Sequence, residues 1–596
     1  MIRRPLRPIA RVLKARESGV DPSIIEAEEK AARMRGQRNS ERFRAQSRLF
    51  LLAFVFLMAF GTVGWKMTVL ATTSPVEPVA RGRSIQIVSQ RANIVDRNGQ
   101  ILATNLATTS LFAHPQDMVD ARAAADGLVA IFDDLNSEIL FGLFSGERKF
   151  VWIKHKLSPE QRQAVHDIGE PGLQFGPREI RLYPNGSLAA HILGGTAFGR
   201  EGVQSAEVIG TAGVELQFDT FLRDPAEDGS PLELSIDIAV QAAMRRVLAG
   251  GMMMMSARGA AAVLMEVDTG QVIAMVSLPD FDPNHRPAPP ASGDPADSPL
   301  FNRVAQGRYE LGSTFKLFTA ALAMETGTAT LDTMVPTRGP LRWGKYTIRD
   351  FHNYGSELSL MDVIVKSSNI GAANLAVEMG PEAQKDFLRD LGFFDPVALE
   401  IKEARRSKPL IPSNWSELST MTISYGHGLA ATPLHLAAAY ATITNGGLKV
   451  TPTLLKDGEL PDGDDRVLSE ATSANVREML RQVVVRGTAS LGEVTGYQVG
   501  GKTGTADKPN PQGGYYEDKV IATFASVFPM GDPKYVLVVS LDEPVETSGD
   551  EPRRTAGWTA VPVGAEIIRR IAPLMGMRPE YFDGKATPDA LTLTRN

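Results

Sequence analysis

Residues 49–65 contain no charged side chain, and Arg48 and Lys66 bound this run. Its seventeen residues are the short limit for a helix that crosses a bilayer. The apolar character continues to Ala71, and Lys66 can extend its aliphatic stem along the acyl region while its ammonium stays at the interface. The sequence therefore predicts a membrane anchor over residues 49–71, between a short N-terminal tail and a long C-terminal part.

The charges around this run predict its direction. Residues 1–48 contain thirteen Lys or Arg and six Asp or Glu, a net charge of +7, whereas the segment after the run is nearly neutral. Positive charge stays on the cytoplasmic side during insertion. We therefore predict a cytoplasmic basic tail over residues 1–48, an uncleaved single-pass anchor, and a location on the far side of the membrane for the chain from about residue 72 onward.

Length and composition limit the remaining part. A chain of 596 residues exceeds the size of a single hydrophobic core, so at least two folded units are expected. Its 43% hydrophobic and 22% charged residues and its net charge of -6 are ordinary globular values and argue against a nucleic-acid partner. The absence of cysteine excludes disulfides and thiolate chemistry, and the eight histidines show no metal-ligand spacing, so no metal or cofactor is predicted.

Two domains are predicted beyond the anchor. Residues 72–230 begin with an alternating segment, Ser84–Val88, and a turn, Asp96–Gly99, which favour strands, and continue with helical stretches. Nothing in them resembles a nucleophile with its base, so this mixed domain is expected to be non-catalytic. A polar linker over residues 224–229 separates it from a second domain, residues 231–580, and residues 581–596 form a C-terminal tail.

The second domain is predicted to be α+β. Asp237 can cap a helix that runs to about Leu248. Two pairs of apolar strands lie near the ends of the domain, residues 260–267 with 271–278 and residues 521–528 with 535–541. Helices dominate the chain between them. We therefore predict an antiparallel sheet assembled from distant segments, flanked by helices, with an all-helical subregion.

A serine and a lysine lie three residues apart in Ser313–Lys316, at the start of an apolar segment, Leu317–Met324, that predicts a buried helix. Residues at i and i+3 share one helical face, so the Lys316 amine can take the proton of the Ser313 hydroxyl directly. The pair predicts a serine nucleophile with a lysine base. Alone the pattern is weak, because it occurs by chance about once in a chain of this size.

Two further motifs can complete such a site. Ser367-Ser368-Asn369 offers a hydroxyl and an amide. We predict that Ser367 relays a proton between Lys316 and the leaving or attacking amine and that Asn369 holds a substrate amide, and we predict no role for Ser368. The third motif, Lys502–Thr505, supplies an ammonium and two hydroxyls.

Lys502, Thr503 and Thr505 can bind a carboxylate. The preceding segment, Tyr497–Gly501, is predicted to be a strand whose glycines let a ligand backbone approach closely. A second ammonium near Lys316 would also lower the pKa of that lysine and favour its neutral, basic form.

The three motifs, S-x-x-K, S-x-N and K-T-G-T in this order, resemble those of the class B penicillin-binding proteins, which are peptidoglycan D,D-transpeptidases. The resemblance extends over nearly all of the chain beyond the anchor. Outside the motifs it rests on Arg91–Gly99, Arg181–Pro184 and Gly210–Glu215, which are similar to the non-catalytic signature of the class. One departure is Leu311, where the family often has proline.

Ser424–Leu429 and Thr432–His435 are most similar to the division-specific type, known as the FtsI or penicillin-binding protein 3 type. His435 departs from that pattern, since the family usually has glutamine there. The resemblance implies an elongated pedestal or dimerisation domain over residues 72–230 and a penicilloyl-serine transferase domain over residues 231–580.

The resemblance also implies the reaction. Ser313 would attack the penultimate carbonyl of a stem peptide ending in D-alanyl-D-alanine, with the backbone N–H groups of Ser313 and Thr505 as the oxyanion hole. Lys502, Thr503, Gly504 and Thr505 would bind the terminal carboxylate end or a β-lactam. An amine of a neighbouring stem would resolve the acyl-enzyme into a cross-link. The implied neighbours are a polytopic glycosyltransferase and other division proteins.

Three alternatives remain open at this point. A β-lactamase has about half this length and needs a base for hydrolytic water, and no E-x-x-L-N segment lies between Asn369 and Lys502. An elongation-specific transpeptidase would share the motifs but act on the side wall. A catalytically idle scaffold or β-lactam sensor would keep the fold, although the intact Ser313, Lys316 and Lys502 argue against it.

Overall fold

The computed structural model describes residues 7–19, 21–72, 91–198, 208–224, 229–457 and 465–580. Residues 1–87 and residues 88–596 form two separate compact units. The first contains two helices, α1 (Arg7–Glu17) and α2 (Pro22–Thr72). Within the residues that the structure describes, no helix is both long enough and apolar enough to cross a membrane. The anchor over residues 49–71 stays a prediction, and the tail over residues 581–596 and the segment Ser84–Val88 lie outside the described residues.

The second unit begins with a mixed region that corresponds to the predicted non-catalytic domain. Its strands are β1 (Ile94–Val95), β2 (Ile101–Ala113), β3 (Val151–Leu157), β4 (Leu173–Leu182), β5 (Gly195–Phe198) and β6 (Val208–Ala212). Its helices are α3 (Ala121–Ile131), α4 (Ser137–Phe144), α5 (Pro159–Asp167), α6 (Ala190–Leu193), α7 (Gly213–Gln217) and α8 (Asp219–Arg223). The long β2 pairs with β1, β3 and β4, so it organises the sheet of this region.

The three segments that carry the class B signature meet in a buried ion cluster. Arg91 and Arg181 both bind the Glu215 carboxylate, at 2.6 and 2.7 Å, and the Glu215 side chain is fully buried. Arg91 also binds Asp219 at 2.7 Å, so two guanidinium groups face two carboxylates. A buried carboxylate is stable only with such partners. The signature residues therefore hold distant parts of this region together.

The rest of the second unit carries the catalytic motifs. Its strands are β7 (Leu232–Glu233), β8 (Gly259–Glu266), β9 (Val272–Leu278), β10 (Met334–Pro336), β11 (Leu341–Trp343), β12 (Tyr346–Ile348), β13 (Glu357–Ser359), β14 (Gly500–Pro509), β15 (Tyr515–Phe528) and β16 (Tyr535–Asp542). Its helices are α9 (Ile238–Met254), α10 (Lys316–Glu325), α11 (Leu360–Val365), α12 (Asn369–Met379), α13 (Pro381–Asp390), α14 (Lys402–Arg405), α15 (Glu417–Ser424), α16 (Pro433–Thr444), α17 (Glu470–Arg486) and α18 (Ala560–Leu574).

A five-stranded antiparallel sheet forms the centre of this part, with the strand order β14-β15-β16-β8-β9. The α9 and α18 helices pack on each other and on the sheet, and α16 and α17 also contact it. The prediction of a sheet assembled from distant chain segments is confirmed. Because β14 is the terminal strand, one of its edges has no strand partner among the described residues.

Local signals placed most of these elements. Asp237 caps α9 by accepting hydrogen bonds from the N–H groups of Ala239 and Val240, as predicted. The all-helical subregion was wrong in part, because two small two-stranded sheets, β10 with β13 and β11 with β12, lie between α10 and α11. These strands have three residues each, so alternation could not reveal them.

Candidate active site

The nucleophile turn positions Ser313 over the start of a buried helix. Residues Gly312–Phe315 form one turn of 3-10 helix, and α10 begins directly afterwards at Lys316. The Lys316 amine lies 2.9 Å from the Ser313 hydroxyl oxygen. Lys316 is only 1% exposed, whereas Ser313 is half-buried and therefore reachable from solvent. The structure thus brings the predicted nucleophile and base into hydrogen-bond distance.

Burial is the main reason why Lys316 can act as a base. It lowers the pKa of Lys316 well below 10.5, and the neighbouring Lys502 lowers it further, while Asp350 raises it. Sequence reasoning named only the second lysine, so it missed the larger cause.

The hydrogen bonds around the Lys316 amine fit its neutral form. Besides Ser313, the amine contacts the backbone carbonyl of Ser367 at 2.6 Å and its hydroxyl oxygen at 3.0 Å. A neutral amine has two N–H groups and one lone pair. The two N–H groups can be donated to Ser367, which leaves the lone pair for the O–H of Ser313.

Ser367 connects the two lysines. Its hydroxyl oxygen lies 3.0 Å from the amine of Lys316 and 3.0 Å from that of Lys502. Two donated hydrogen bonds use both lone pairs of the hydroxyl, so its own proton is left to donate toward a substrate. Ser367 has a φ of 63°, in the left-handed region that residues other than glycine rarely adopt. Such a conformation persists only where the surroundings enforce it.

The Asp350 carboxylate enforces the conformation of the S-x-N motif, although sequence reasoning did not single it out. It accepts hydrogen bonds from the Ser368 hydroxyl at 2.6 Å, from the Asn369 N–H at 2.5 Å and from the Ile370 N–H at 3.1 Å. Ser368, which had no predicted role, also caps α12 by accepting a hydrogen bond from the Gly371 N–H at 3.0 Å. No short-range pattern distinguishes this aspartate, because it lies eighteen residues before its first partner.

The third motif lies within β14, which begins at Gly500, and not after a strand. The predicted strand over Tyr497–Gly501 was therefore placed too early in the sequence. Lys502 pairs in register with Ala525 of β15 and is completely buried. Burial lowers the pKa of Lys502 from 10.5 to about 7. Its amine lies 3.1 Å from the Thr503 carbonyl besides its contact with Ser367. This lysine is therefore a titratable group near neutral pH.

The other residues predicted to bind substrate are held by the protein itself. The Thr503 hydroxyl lies 2.7 Å from that of Thr488, and the Thr505 hydroxyl accepts a hydrogen bond from the Ala556 N–H at 3.0 Å. The Asn369 side-chain amide donates to the Arg349 carbonyl at 2.9 Å. These contacts fix the orientation of each group. The binding roles of Asn369, Thr503, Gly504 and Thr505 remain predictions.

Glycines let three segments meet at the nucleophile turn. Gly312 has a φ of 55°, and a β-carbon on it would lie 2.7 Å from the Thr505 carbonyl oxygen. Gly426 has a φ of 86°, and a β-carbon there would collide with the Gly312 carbonyl. Gly504 similarly has no room for a side chain because the Leu311 carbonyl fills the space. We call Gly312, Gly426 and Gly504 the glycine junction; its glycines accommodate the chain's own backbone.

The arrangement defines a serine acyltransferase. It contains a solvent-accessible hydroxyl, a buried amine with a lowered pKa beside it, and a second hydroxyl that can transfer the proton. Residues 260–568 match the penicillin binding protein transpeptidase domain, and residues 86–227 match the penicillin-binding protein dimerisation domain. The first match covers just over half of the chain. The chain therefore belongs to the penicillin-binding protein transpeptidase family.

Relatives with assigned names agree with this placement. The chain is 35% identical over 499 residues to the probable peptidoglycan D,D-transpeptidase FtsI of Caulobacter vibrioides, with 82% of each chain covered. It is 29% identical over 566 residues to the peptidoglycan D,D-transpeptidase FtsI of Escherichia coli K12, with 91% of this chain and 93% of the relative covered.

Solved structures show the same fold. Penicillin-binding protein 3 of Mycobacterium tuberculosis in complex with ampicillin superposes with a TM-score of 0.62 at 25% identity, over 84% of this chain and 98% of that one. Its complex with aztreonam gives a TM-score of 0.61 at 25% identity, with 83% and 97% covered. The predicted α+β architecture and enzyme class are thereby confirmed.

Proposed function

We propose that this transpeptidase cross-links peptidoglycan stem peptides during septal wall synthesis, through an acyl-enzyme on Ser313. One observation supports the proposal above the others. The buried Lys316 amine, which has a lowered pKa, lies 2.9 Å from the Ser313 hydroxyl. The septal role is supported by the relatives that carry the FtsI name.

Acylation uses the two hydroxyls and the Lys316 amine in turn. Lys316 takes the proton of Ser313 as the oxygen attacks the penultimate carbonyl of a donor ending in D-alanyl-D-alanine. The backbone N–H groups of Ser313 and Thr505 stabilise the oxyanion. As the peptide bond breaks, the leaving D-alanine nitrogen takes the Ser367 proton, and Ser367 is reprotonated from Lys316. One proton has then moved from the nucleophile to the leaving group.

The edge of β14 that has no strand partner among the described residues orients the donor. An extended peptide can pair with an unpartnered strand edge. In this position the terminal carboxylate binds to Lys502 and to the hydroxyls of Thr503 and Thr505. The side chain of Asn369 exchanges a hydrogen bond with a peptide amide of the donor. The amine of a neighbouring stem then attacks the acyl-enzyme and forms the cross-link as the ester bond to Ser313 breaks. The proton of the amine passes through Ser367 and Lys316 to the Ser313 oxygen, which restores the free enzyme. A β-lactam imitates the donor and leaves Ser313 blocked.

Labelling with a fluorescent penicillin tests the chemistry. The full-length protein is expected to label stably, and Ser313→Ala is expected to lose the label completely. Ser145→Ala, which changes an exposed serine outside the site, is the matched control and should label like the wild type. Rapid loss of the label would favour a β-lactamase, and absence of any label on the wild type would favour the idle scaffold.

We also propose that residues 49–71 anchor the enzyme in the inner membrane, with the catalytic domain in the periplasm. The net charge of +7 before this segment supports that direction. Leu51, Phe60 and Trp65 expose between 68% and 73% of their surface on α2, and such side chains favour a non-aqueous neighbour. A polytopic glycosyltransferase and other division proteins are the proposed partners.

Two measurements test these roles. A C-terminal alkaline phosphatase fusion is expected to be active, and inactivity would contradict the periplasmic location.

Depletion of the protein in its source bacterium is expected to give filaments, because septa are not completed. Round cells would instead support the elongation-specific alternative.

A further inference from the structure

A cleft lies where the non-catalytic region meets the catalytic part of the second unit. Its volume is about 470 Å³. Part of its wall comes from β5, from β6 and from the ends of β3 and β4, all inside the dimerisation-domain match. Another part is the turn Pro283–His285, which lies inside the transpeptidase-domain match. None of the described residues that line the cleft belongs to the three catalytic motifs.

Arg181 lines this cleft and keeps one buried donor without an acceptor. Its Nε and Nη1 donate to Glu215 and Asn105, at 2.7 and 3.0 Å. Its Nη2 is buried and has no hydrogen-bond partner within the described part of the chain. The Arg181 side chain is only 1% exposed, so solvent does not supply the missing acceptor freely. A buried donor without an acceptor is costly, and the cleft therefore favours a ligand that supplies one.

Other polar groups of the cleft also have donors to spare. The buried Tyr183 hydroxyl makes only long contacts, at 3.5 Å to the Thr196 hydroxyl and at 3.4 Å to Glu215. Asn284 differs, because its side-chain oxygen and nitrogen are both bound to the Tyr183 backbone, each at 3.0 Å. Lys156 is exposed and can donate three hydrogen bonds. The groups that remain unused are therefore donors, which an anion satisfies best.

Positive charge is in excess around the cleft. The Glu215 carboxylate is already bound by two guanidinium groups. The Asp282 carboxylate is paired with the His285 ring, at 3.2 Å. Lys156 adds a positive charge for which the structure describes no carboxylate partner. The charge balance thus agrees with the hydrogen-bond balance in favouring a negative ligand.

We propose that this cleft binds a small organic oxyanion, either a carboxylate or a phosphate ester, with a short apolar body. The oxyanion accepts hydrogen bonds from Arg181 and from the Tyr183 hydroxyl, and it lies close to the charge of Lys156. Its apolar body packs on the remaining lining, and a cavity of this volume can hold a ligand of that size. That lining consists of Ile180, Leu182, Ala197, Val208 and Pro283. The inference does not depend on the proposed function.

Binding of benzoate and of phenyl phosphate to the full-length protein tests the proposal, and benzamide is the neutral counterpart of benzoate. The readout is the dissociation constant from isothermal titration calorimetry. Hydrogen bonds to a charged acceptor are stronger than those to a neutral one, so at least one of the two anions should bind about tenfold more tightly than benzamide. Which anion binds better distinguishes a carboxylate from a phosphate site. Equal affinities for all three probes, or no saturable binding of either anion, would overturn the proposal.

Substitutions assign the binding to the cleft. Ala197→Trp fills the space without changing a charge and should abolish binding. Lys156→Met removes an exposed charge and should weaken anion binding by roughly twofold to fivefold, while benzamide binding stays the same. Lys149→Met removes another exposed lysine of the same region and is the matched control, which should bind like the wild type. Unchanged anion affinity in both Ala197→Trp and Lys156→Met would place the anion elsewhere and overturn the proposal.

Thermal melting provides a second readout, because the ligand contacts residues of both domain matches. Binding to the folded protein alone should raise the melting temperature with increasing anion concentration. The rise should be absent in Ala197→Trp and reduced in Lys156→Met. A melting temperature of each variant equal to that of the wild type without ligand shows that the variant is folded. If Ala197→Trp melts early, Lys156→Met and its control decide the outcome.

Discussion

Replacement of Asp350 by asparagine should slow acylation without removing any group that touches the substrate. The carboxylate accepts three hydrogen bonds from the S-x-N segment, from Ser368, Asn369 and Ile370. An asparagine keeps one acceptor oxygen, turns an N–H₂ group toward the remaining partner, and has no charge. Ser367 is then held less firmly in its left-handed conformation, so both lysines lose a fixed partner.

The magnitude follows from these contacts. Hydrogen bonds to a charged group contribute about 1.5–3 kcal/mol each. Loss of one of them, expressed in the position of Ser367, lowers the acylation rate by roughly ten- to a hundredfold, because each 1.36 kcal/mol changes a rate tenfold. The measurement is the rate of acylation by a penicillin as a function of pH. Asp362→Asn, which removes a partly exposed carboxylate paired with Arg486, is the control and should cost at most about 1 kcal/mol of stability.

The pH profile distinguishes positioning from a change in the base. Asp350 raises the pKa of Lys316, so its neutralisation lowers that pKa further. The acid limb of the profile, which reports deprotonation of Lys316, should then move to lower pH while the plateau falls. A plateau within twofold of the wild type, or an acid limb at higher pH, would refute the reasoning.

Two further predictions concern buried charges. Lys502→Met should raise the free energy of unfolding at pH 6 by up to ~5 kcal/mol. Burial lowers the pKa of Lys502 from 10.5 to about 7, so below pH 7 the folded protein holds a buried charge that the methionine removes. Between pH 7 and pH 10 the unfolded wild-type chain binds more protons than the folded one, so the stability advantage of the methionine variant should shrink over this range. Melting curves of the two proteins that differ equally at all pH values would contradict this. Glu215→Gln should cost about 3–5 kcal/mol, because it leaves the guanidinium groups of Arg91 and Arg181 without their shared carboxylate. Limited proteolysis of the region around β2 should detect the loss, and resistance equal to that of the wild type would count against it.

The sequence predicted those parts of the structure that depend on short-range patterns. The strand pairs in β8, β9, β15 and β16 follow from alternation and apolar runs, and the start of α9 follows from a capping aspartate. The motif order predicted that Ser313, Lys316 and Lys502 share one site. The bounds of the strand at the third motif were predicted wrongly, because a lysine and threonines between glycines lack the apolar pattern of a buried strand.

Features that depend on contacts between distant parts of the chain could not be predicted from the sequence. Asp350 affects the site only because its loop folds back on the S-x-N segment. The dominance of burial over the second lysine in lowering the pKa of Lys316 requires knowledge of how deeply the helix start is packed. Glu310 likewise resembles any surface glutamate in the sequence, and only the structure shows that its carboxylate accepts hydrogen bonds from the Gly428 N–H and the Tyr515 hydroxyl.

The glycine junction restricts how this enzyme could escape inhibition by β-lactams. At Gly312, Gly426 and Gly504 even a methyl group would wedge two backbone segments apart and displace the nucleophile. An inhibitor and a natural donor depend equally on that placement, so variation there abolishes both reactions together. Selection for resistance is thereby directed to positions other than these three glycines.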